Sequence, residues 1–143
     1  MKLISHRGNI NGKESVHENN PNYIENTIML GFDVEIDVRY VNNSFFLGHD
    51  TPDYKVNSKF LEMKGIWCHA KDADALENLR KLNCVYFWHQ EDDYTITSNG
   101  YFWVYPGKKL IKNSICVLPE KTNLEIVNCY GICSDIIMKY KND

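Results

Sequence analysis

Phe32-Asp33-Val34-Glu35-Ile36-Asp37-Val38-Arg39-Tyr40 alternates apolar and charged side chains over its central seven residues. In an extended strand Val34, Ile36 and Val38 fall on one face and Glu35, Asp37 and Arg39 on the other. Working outward, eight short apolar runs have strand character: Leu3–His6, Asp33–Tyr40, Phe45–His49, Gly65–Ala70, Cys84–His89, Gly100–Tyr105, Ser114–Leu118 and Gly131–Asp135. Helical spacing is convincing in two gaps. Asn22–Leu30 follows the start signal Asn20-Pro21 and sets Tyr23, Thr27 and Leu30 on one side. Asp72–Leu82 has Asp72 or Asp74 as cap and Ala75, Leu76, Leu79 and Leu82 as an apolar face. Asp53–Met63 has room for one or two helical turns, and Asn99-Gly100, Pro106-Gly107 and Pro119 punctuate the later chain. Strands separated by helices or long connections predict parallel βαβ units. The expected fold class is α/β: one domain over residues 1–143, built as a compact TIM-type (β/α)8 barrel. Such barrels use about 250 residues, so several outer helices must shrink to loops.

Composition narrows the function. Of 143 residues, 43% are apolar and 24% charged, as in a soluble globular domain. Nine Tyr, six Phe and three Trp give a small core a large buried area per residue. A net charge of −3 without a basic block argues against nucleic acid. No apolar stretch approaches the roughly 18 residues of a membrane span. Met1–Ser5 is too short for a signal peptide core, and the first strand starts at once, which predicts a mature N-terminus. Cys68, Cys84, Cys116, Cys129 and Cys133 are odd in number and contain no Cys-x-x-Cys. They read as reduced thiols in a cytoplasmic protein, with a redox or metal role as the alternative.

Chemistry concentrates in the first third. Glu35 and Asp37 stand two residues apart on one strand face, about 7 Å between Cα atoms. Carboxylates that close repel unless a cation lies between them, which is how a Ca²⁺ or Mg²⁺ site begins. A solvated strand face with Arg39 as counter-charge is the competing reading. His6-Arg7-Gly8 closes one apolar run and His49-Asp50 closes another. Gly8 lets the chain turn, and Arg7 offers a planar fork for phosphate oxygens. Two imidazoles titrating near neutral pH suit an acid/base pair.

A His-Arg-Gly, a Glu-x-Asp and a His-Asp in this order resemble the glycerophosphodiester phosphodiesterase family, most strongly over residues 3–50. Ile24-Glu25-Asn26-Thr27 is similar to that family's Pro-Glu-Asn-Thr, with Ile24 in the place of the proline. Gly131-Ile132-Cys133-Ser134-Asp135 looks like its last strand, which implies a complete chain. The resemblance implies a (β/α)8 barrel with its site at the strand C-termini. It also implies catalytic His6 and His49 and metal ligands Glu35 and Asp37. Where the family has a further metal-binding Glu in a Glu-x-Lys pattern, this chain has His69-Ala70-Lys71. His69 is then either a third ligand, favouring Zn²⁺ or other transition metals, or a substrate contact. Lys71 pairs with phosphate or with Asp37 or Glu35.

The second half is less like the family. Phe87-Trp88-His89-Gln90-Glu91-Asp92-Asp93 reads as a site rim or a solvated turn, and Trp103 and Tyr105 as core or as an aromatic wall. The expected function is a metal-dependent phosphoric diester hydrolase of lipid metabolism, acting on a small glycerophosphodiester-type substrate. Its cofactor would be Mg²⁺ or Ca²⁺, with Mn²⁺ or Zn²⁺ as alternatives. A non-catalytic barrel binding an anionic phosphate compound and a phosphodiester lyase are the rivals. Thin helical cover would leave apolar surface for an oligomer.

Overall fold

The computed structural model describes residues 1–142. In chain order the elements are β1 (Lys2–His6), α1 (Pro21–Met29), β2 (Asp33–Val41), β3 (Ser44–Leu47), β4 (Tyr54–Val56), α2 (Ser58–Leu61), β5 (Ile66–Ala70), α3 (Ala73–Leu79), β6 (Val85–Phe87), β7 (Tyr94–Ile96), β8 (Phe102–Val104), β9 (Ser114–Val117) and β10 (Gly131–Ser134). Short 3₁₀ turns cover Pro119–Lys121 and Ile137–Tyr140. Each α-helix starts on a polar cap. The side chains of Asn20, Asn57 and Asp72 accept hydrogen bonds from the backbone N–H groups of Asn22, Phe60 and Ala75. Asp72 also accepts from the Tyr40 N–H, tying the start of α3 to β2.

Seven strands run parallel in the order β6-β5-β2-β1-β10-β9-β8. β3 pairs antiparallel with the upper half of β2 and carries β4, while β7 pairs antiparallel with β8. The right-handed twist of so many strands curls the sheet into a half-barrel. Its two ends touch where the Ser98 N–H donates to the Tyr86 carbonyl at 2.9 Å. No ladder joins β6 to β7 or β8 among the described residues.

The TIM-type barrel is therefore corrected. That architecture alternates eight parallel strands with eight helices, and here three α-helices of nine, four and seven residues accompany a mixed sheet. The reason is length. From Val85 to Ser134 the residues go into strands, turns and one 3₁₀ turn, leaving none for outer helices. Two further details differ. Tyr54–Val56 forms a strand at the start of the segment expected to hold helical turns, which are confined to Ser58–Leu61, and Tyr94–Ile96 forms a strand the sequence reading did not assign. On α1, Ile24 and Thr27 are buried while Leu30 is 44% exposed.

Alternation along β2 sorts the layers as the sequence predicts. Val34, Ile36 and Val38 pack outward with Ile24, Cys68, Ala75 and Leu79 under α1 and α3. On the concave side Ile4, Trp67, Phe87, Trp103, Ile115 and Cys133 form a separate, aromatic-rich core. Phe87 and Trp103 have ring centroids 4.5 Å apart, so bulky rings bridge the gap that the missing ladder leaves. All five cysteines are free thiols. No helix among the described residues is long and apolar enough to cross a membrane.

Candidate metal centre and acid-base site

Parallel strands that end together deliver their terminal side chains to one place. His6 closes β1, Glu35 and Asp37 come from β2, His69 from β5, and His89 and Asp135 follow β6 and β10. They surround or support a cavity of about 430 Å³ that His6, Glu35, His49, His69, Lys71 and His89 help to line. The register explains the grouping. His6 pairs with Glu35 across β1–β2, and Asp37 pairs with His69 across β2–β5.

Glu35, Asp37 and His69 each offer a ligand atom, and these atoms lie within 4.8 Å of one another. Glu35 is 2% exposed and Asp37 fully buried. Glu35 Oε2 and Asp37 Oδ1 have no hydrogen-bond partner. Buried carboxylate oxygens without a partner carry a large desolvation cost, which a cation or a proton between them would relieve. His69 supplies the third component. Its Nε2 lies 2.7 Å from the His89 carbonyl, which can only accept, so Nε2 carries the proton. In the neutral ring, Nδ1 then turns a lone pair toward Glu35 Oε1 at 3.3 Å and Asp37 Oδ1 at 3.8 Å. Three acceptors face one another, an arrangement relieved by a metal ion or a proton. A ring whose far nitrogen donates to a carbonyl is oriented as metal-bound histidines are.

Asp37 is held from its other side as well. Arg7 Nε lies 2.8 Å from Oδ2, and Asn19 donates to Oδ2 at 2.9 Å while accepting from the Asp37 N–H at 3.0 Å. Burial alone would raise this carboxyl's pKa, but Arg7, His69 and the Asn19 hydrogen bond outweigh it and lower the value. Arg7 also bonds Glu18 at 3.0 Å, so its fork is committed to carboxylates. Arg7 (φ 59) and Leu118 (φ 48), both on the cavity wall, sit in the left-handed region. Such backbone strain in a non-glycine residue persists only where the surroundings enforce it.

His6 Nδ1 is 2.7 Å from Asp135 Oδ1, and the Asn9 side chain donates to the same oxygen at 2.8 Å. Glu120 accepts from the Asp135 N–H at 2.8 Å and so fixes the turn after β10. His6 Nε2 faces Glu35 Oε2 at 3.8 Å. Burial would lower the His6 pKa, but the bond to Asp135 and the charge of Glu35 prevail and raise it. The same bond contributes to lowering the Asp135 carboxyl despite its burial.

The remaining residues stand at the rim. His49 is 43% exposed, bonds its neighbour Asp50 at 2.8 Å, and among the described residues forms no ion pair with Glu35 or Asp37. Lys71 is half-buried on the cavity wall and forms no ion pair among the described residues, and Lys121 stands on the same wall. Trp103 belongs to the concave core, whereas Tyr105 is 38% exposed at the cavity. The sequence reading missed Asn9, Glu18, Asn19 and Asp135 as site residues, and had His89 in a segment read as a site rim or a solvated turn. Of the four, only Asp135 carried a signal, a charged residue at a strand end as at His6-Arg7 and His49-Asp50. Compared with known proteins, no family model, curated protein or solved structure matches this chain.

Proposed function

We propose that this protein is a metal-dependent phosphodiesterase acting on small phosphate diesters of the glycerophosphodiester type. The observation that carries the reading is the convergence of Glu35, Asp37 and His69 with two partnerless buried oxygens. Their donor set, two carboxylates and one imidazole, fits Mn²⁺ or Zn²⁺ better than an all-oxygen site would. A cation held there supplies Lewis-acid polarisation of a phosphoryl oxygen.

The protein's own groups do the rest. Asp135 fixes the His6 ring so that Nε2 faces the cavity. With its raised pKa, His6 retains a proton to higher pH and suits the role of acid toward the leaving alkoxide. His49, at the open side, takes the proton of the attacking water or substrate hydroxyl. Lys71 and Lys121 share the phosphate charge, because Arg7 is occupied with Asp37 and Glu18. The order His-Arg-Gly, Glu-x-Asp, His-Asp supports the same reading.

The direct test offers metal-stripped protein glycerophosphocholine and an activated aryl diester, with Mg²⁺, Ca²⁺, Mn²⁺ or Zn²⁺ added singly. Turnover that needs an ion and disappears in His6→Ala supports the proposal. Folded protein inert with every ion would overturn it. The exposure of His49 favours one rival: a non-catalytic module that binds an anionic phosphate compound. Binding of glycerophosphocholine without hydrolysis would identify it.

A further inference from the structure

His89 is 8% exposed, and the acid/base scheme does not use its side chain. Its Nε2 lies 2.5 Å from the Asp92 carbonyl, an acceptor only, so the proton sits on Nε2. In the neutral ring, Nδ1 is then a hydrogen-bond acceptor with a fixed direction. Nδ1 has no protein partner, yet it is not among the buried orphan atoms. His89 lines the cavity beside the Tyr105 ring, whose centroid is 6.1 Å away at 83°, and its Nδ1 is an accessible acceptor there.

The environment sets what such an acceptor can receive. Tyr105 stands beside the ring, and Trp103, Pro106 and Leu118 add apolar surface to the same cavity, with the Gln90 amide next to His89. The cations Arg7, Lys71 and Lys121 line the cavity from other segments of the chain. A phosphate oxygen would bring a second acceptor to Nδ1 and be repelled. A hydroxyl or amine hydrogen would be bound.

We infer that His89 is a specificity-determining residue that accepts a hydrogen bond from a hydroxyl or amine donor on the alcohol moiety of the diester, held against the Tyr105 wall. The inference rests on the phosphodiesterase reading and adds to it which substrates are preferred. The ring is rigidly supported: Nε2 is anchored at Asp92, and the His89 carbonyl receives the His69 proton. Substrate selection and orientation of the metal-ligand ring thus share one residue through separate atoms.

Two isosteric replacements separate the atoms. Asn places an acceptor oxygen near the position of Nδ1 but lacks the anchor. Gln places a donor nitrogen near the position of Nε2 and leaves no acceptor at Nδ1. The probes are 4-hydroxybutyl p-nitrophenyl phosphate and pentyl p-nitrophenyl phosphate, equal in size and different in one donor that is too remote from phosphorus to close a five- or six-membered cyclic phosphate. The parent should favour the hydroxybutyl ester about tenfold in kcat/KM. That ratio should fall to near one in His89→Gln and persist in His89→Asn. Circular dichroism on both variants confirms that they are folded. A parent that cleaves both esters equally overturns the inference and leaves the phosphodiesterase reading standing. Loss of the ratio in both variants, or its retention in both, also overturns it. A parent that cleaves neither ester with any of the four ions removes the inference together with the reading it rests on.

Discussion

His6 Nδ1 lies 2.7 Å from Asp135 Oδ1 across 129 residues of chain. An imidazole bonded to a carboxylate through one nitrogen has its tautomer and its ring plane fixed, and its other nitrogen is aimed. Asp135→Asn should therefore behave as a positioning lesion. We expect kcat to fall by roughly 10²–10⁴-fold with a smaller change in KM. The pH-rate limb that reports His6 should move to lower pH, because the bond that raises its pKa is weakened. Unchanged pH dependence would remove Asp135 from that role.

The three-acceptor arrangement makes a stability prediction that needs no substrate. Mn²⁺ or Zn²⁺ at about 100 times its Kd should stabilise the parent by about 2.7 kcal/mol. Glu35→Gln should abolish this rise in Tm. The metal-free variant should melt no lower than the metal-free parent, because a carboxamide can donate to His69 Nδ1 where the carboxylate cannot. Scanning calorimetry with and without chelator checks both statements.

Glu35 and Asp37 were legible in sequence as a pair because they share β2, where period two fixes the face. His69, on β5, was reached through the resemblance, as the residue in the place of a Glu-x-Lys glutamate. Their supports were not legible. Asn19 reaches Asp37 from a turn, and Asn9 and His6 meet Asp135 across the sheet, so no local spacing relates them. The same limit misled the reading of the fold. Strand runs such as Ser114–Val117 and Gly131–Ser134 were visible, but apolar runs say which segments pair without saying what fills the connections. The segment Tyr94–Ile96 hid for another reason: Tyr94 and Ile96 are exposed on an edge strand, so burial gives it no apolar signature.

Stability of the metal-free protein should fall off on both sides of a mildly acidic optimum. His6 has a folded pKa above its ordinary 6.5, so its contribution is complete below that value and is lost as pH rises through the folded pKa. Asp135 has a folded pKa below its ordinary 3.8, so its contribution is present above that value and is lost as pH falls through the folded pKa. Asp37 acts in the same direction as Asp135. Urea midpoints between pH 3 and 9 should peak between these limits, and Asp135→Asn should flatten both flanks. A maximum that stays at pH 8 in the parent would contradict the assignment.

Trp103 closes the concave core at 3% exposure, its ring tilted 34° against Phe87 and 6.0 Å from Trp67. Trp103→Ala should cost about 3–5 kcal/mol, the range for removing a buried large aromatic side chain. Trp103→Phe should recover much of that loss. Denaturant titration of the two variants measures the difference, and a cost under 1 kcal/mol for the alanine would show that the sheet does not depend on this bridge.

β1 stands between β2 and β10, with Lys2 opposite Gly131. This placement gives assembly an order during synthesis. A nascent chain that has released β1, β2 and β5 already holds Glu35, Asp37 and His69 on adjacent strands. It has no oriented His6, because Asp135 has yet to be made. The carboxylate that fixes the His6 ring therefore joins only when β10 is inserted beside β1. Long-range closure of this kind is slow compared with local pairing, and the unfinished edge of β1 is exposed for the whole interval.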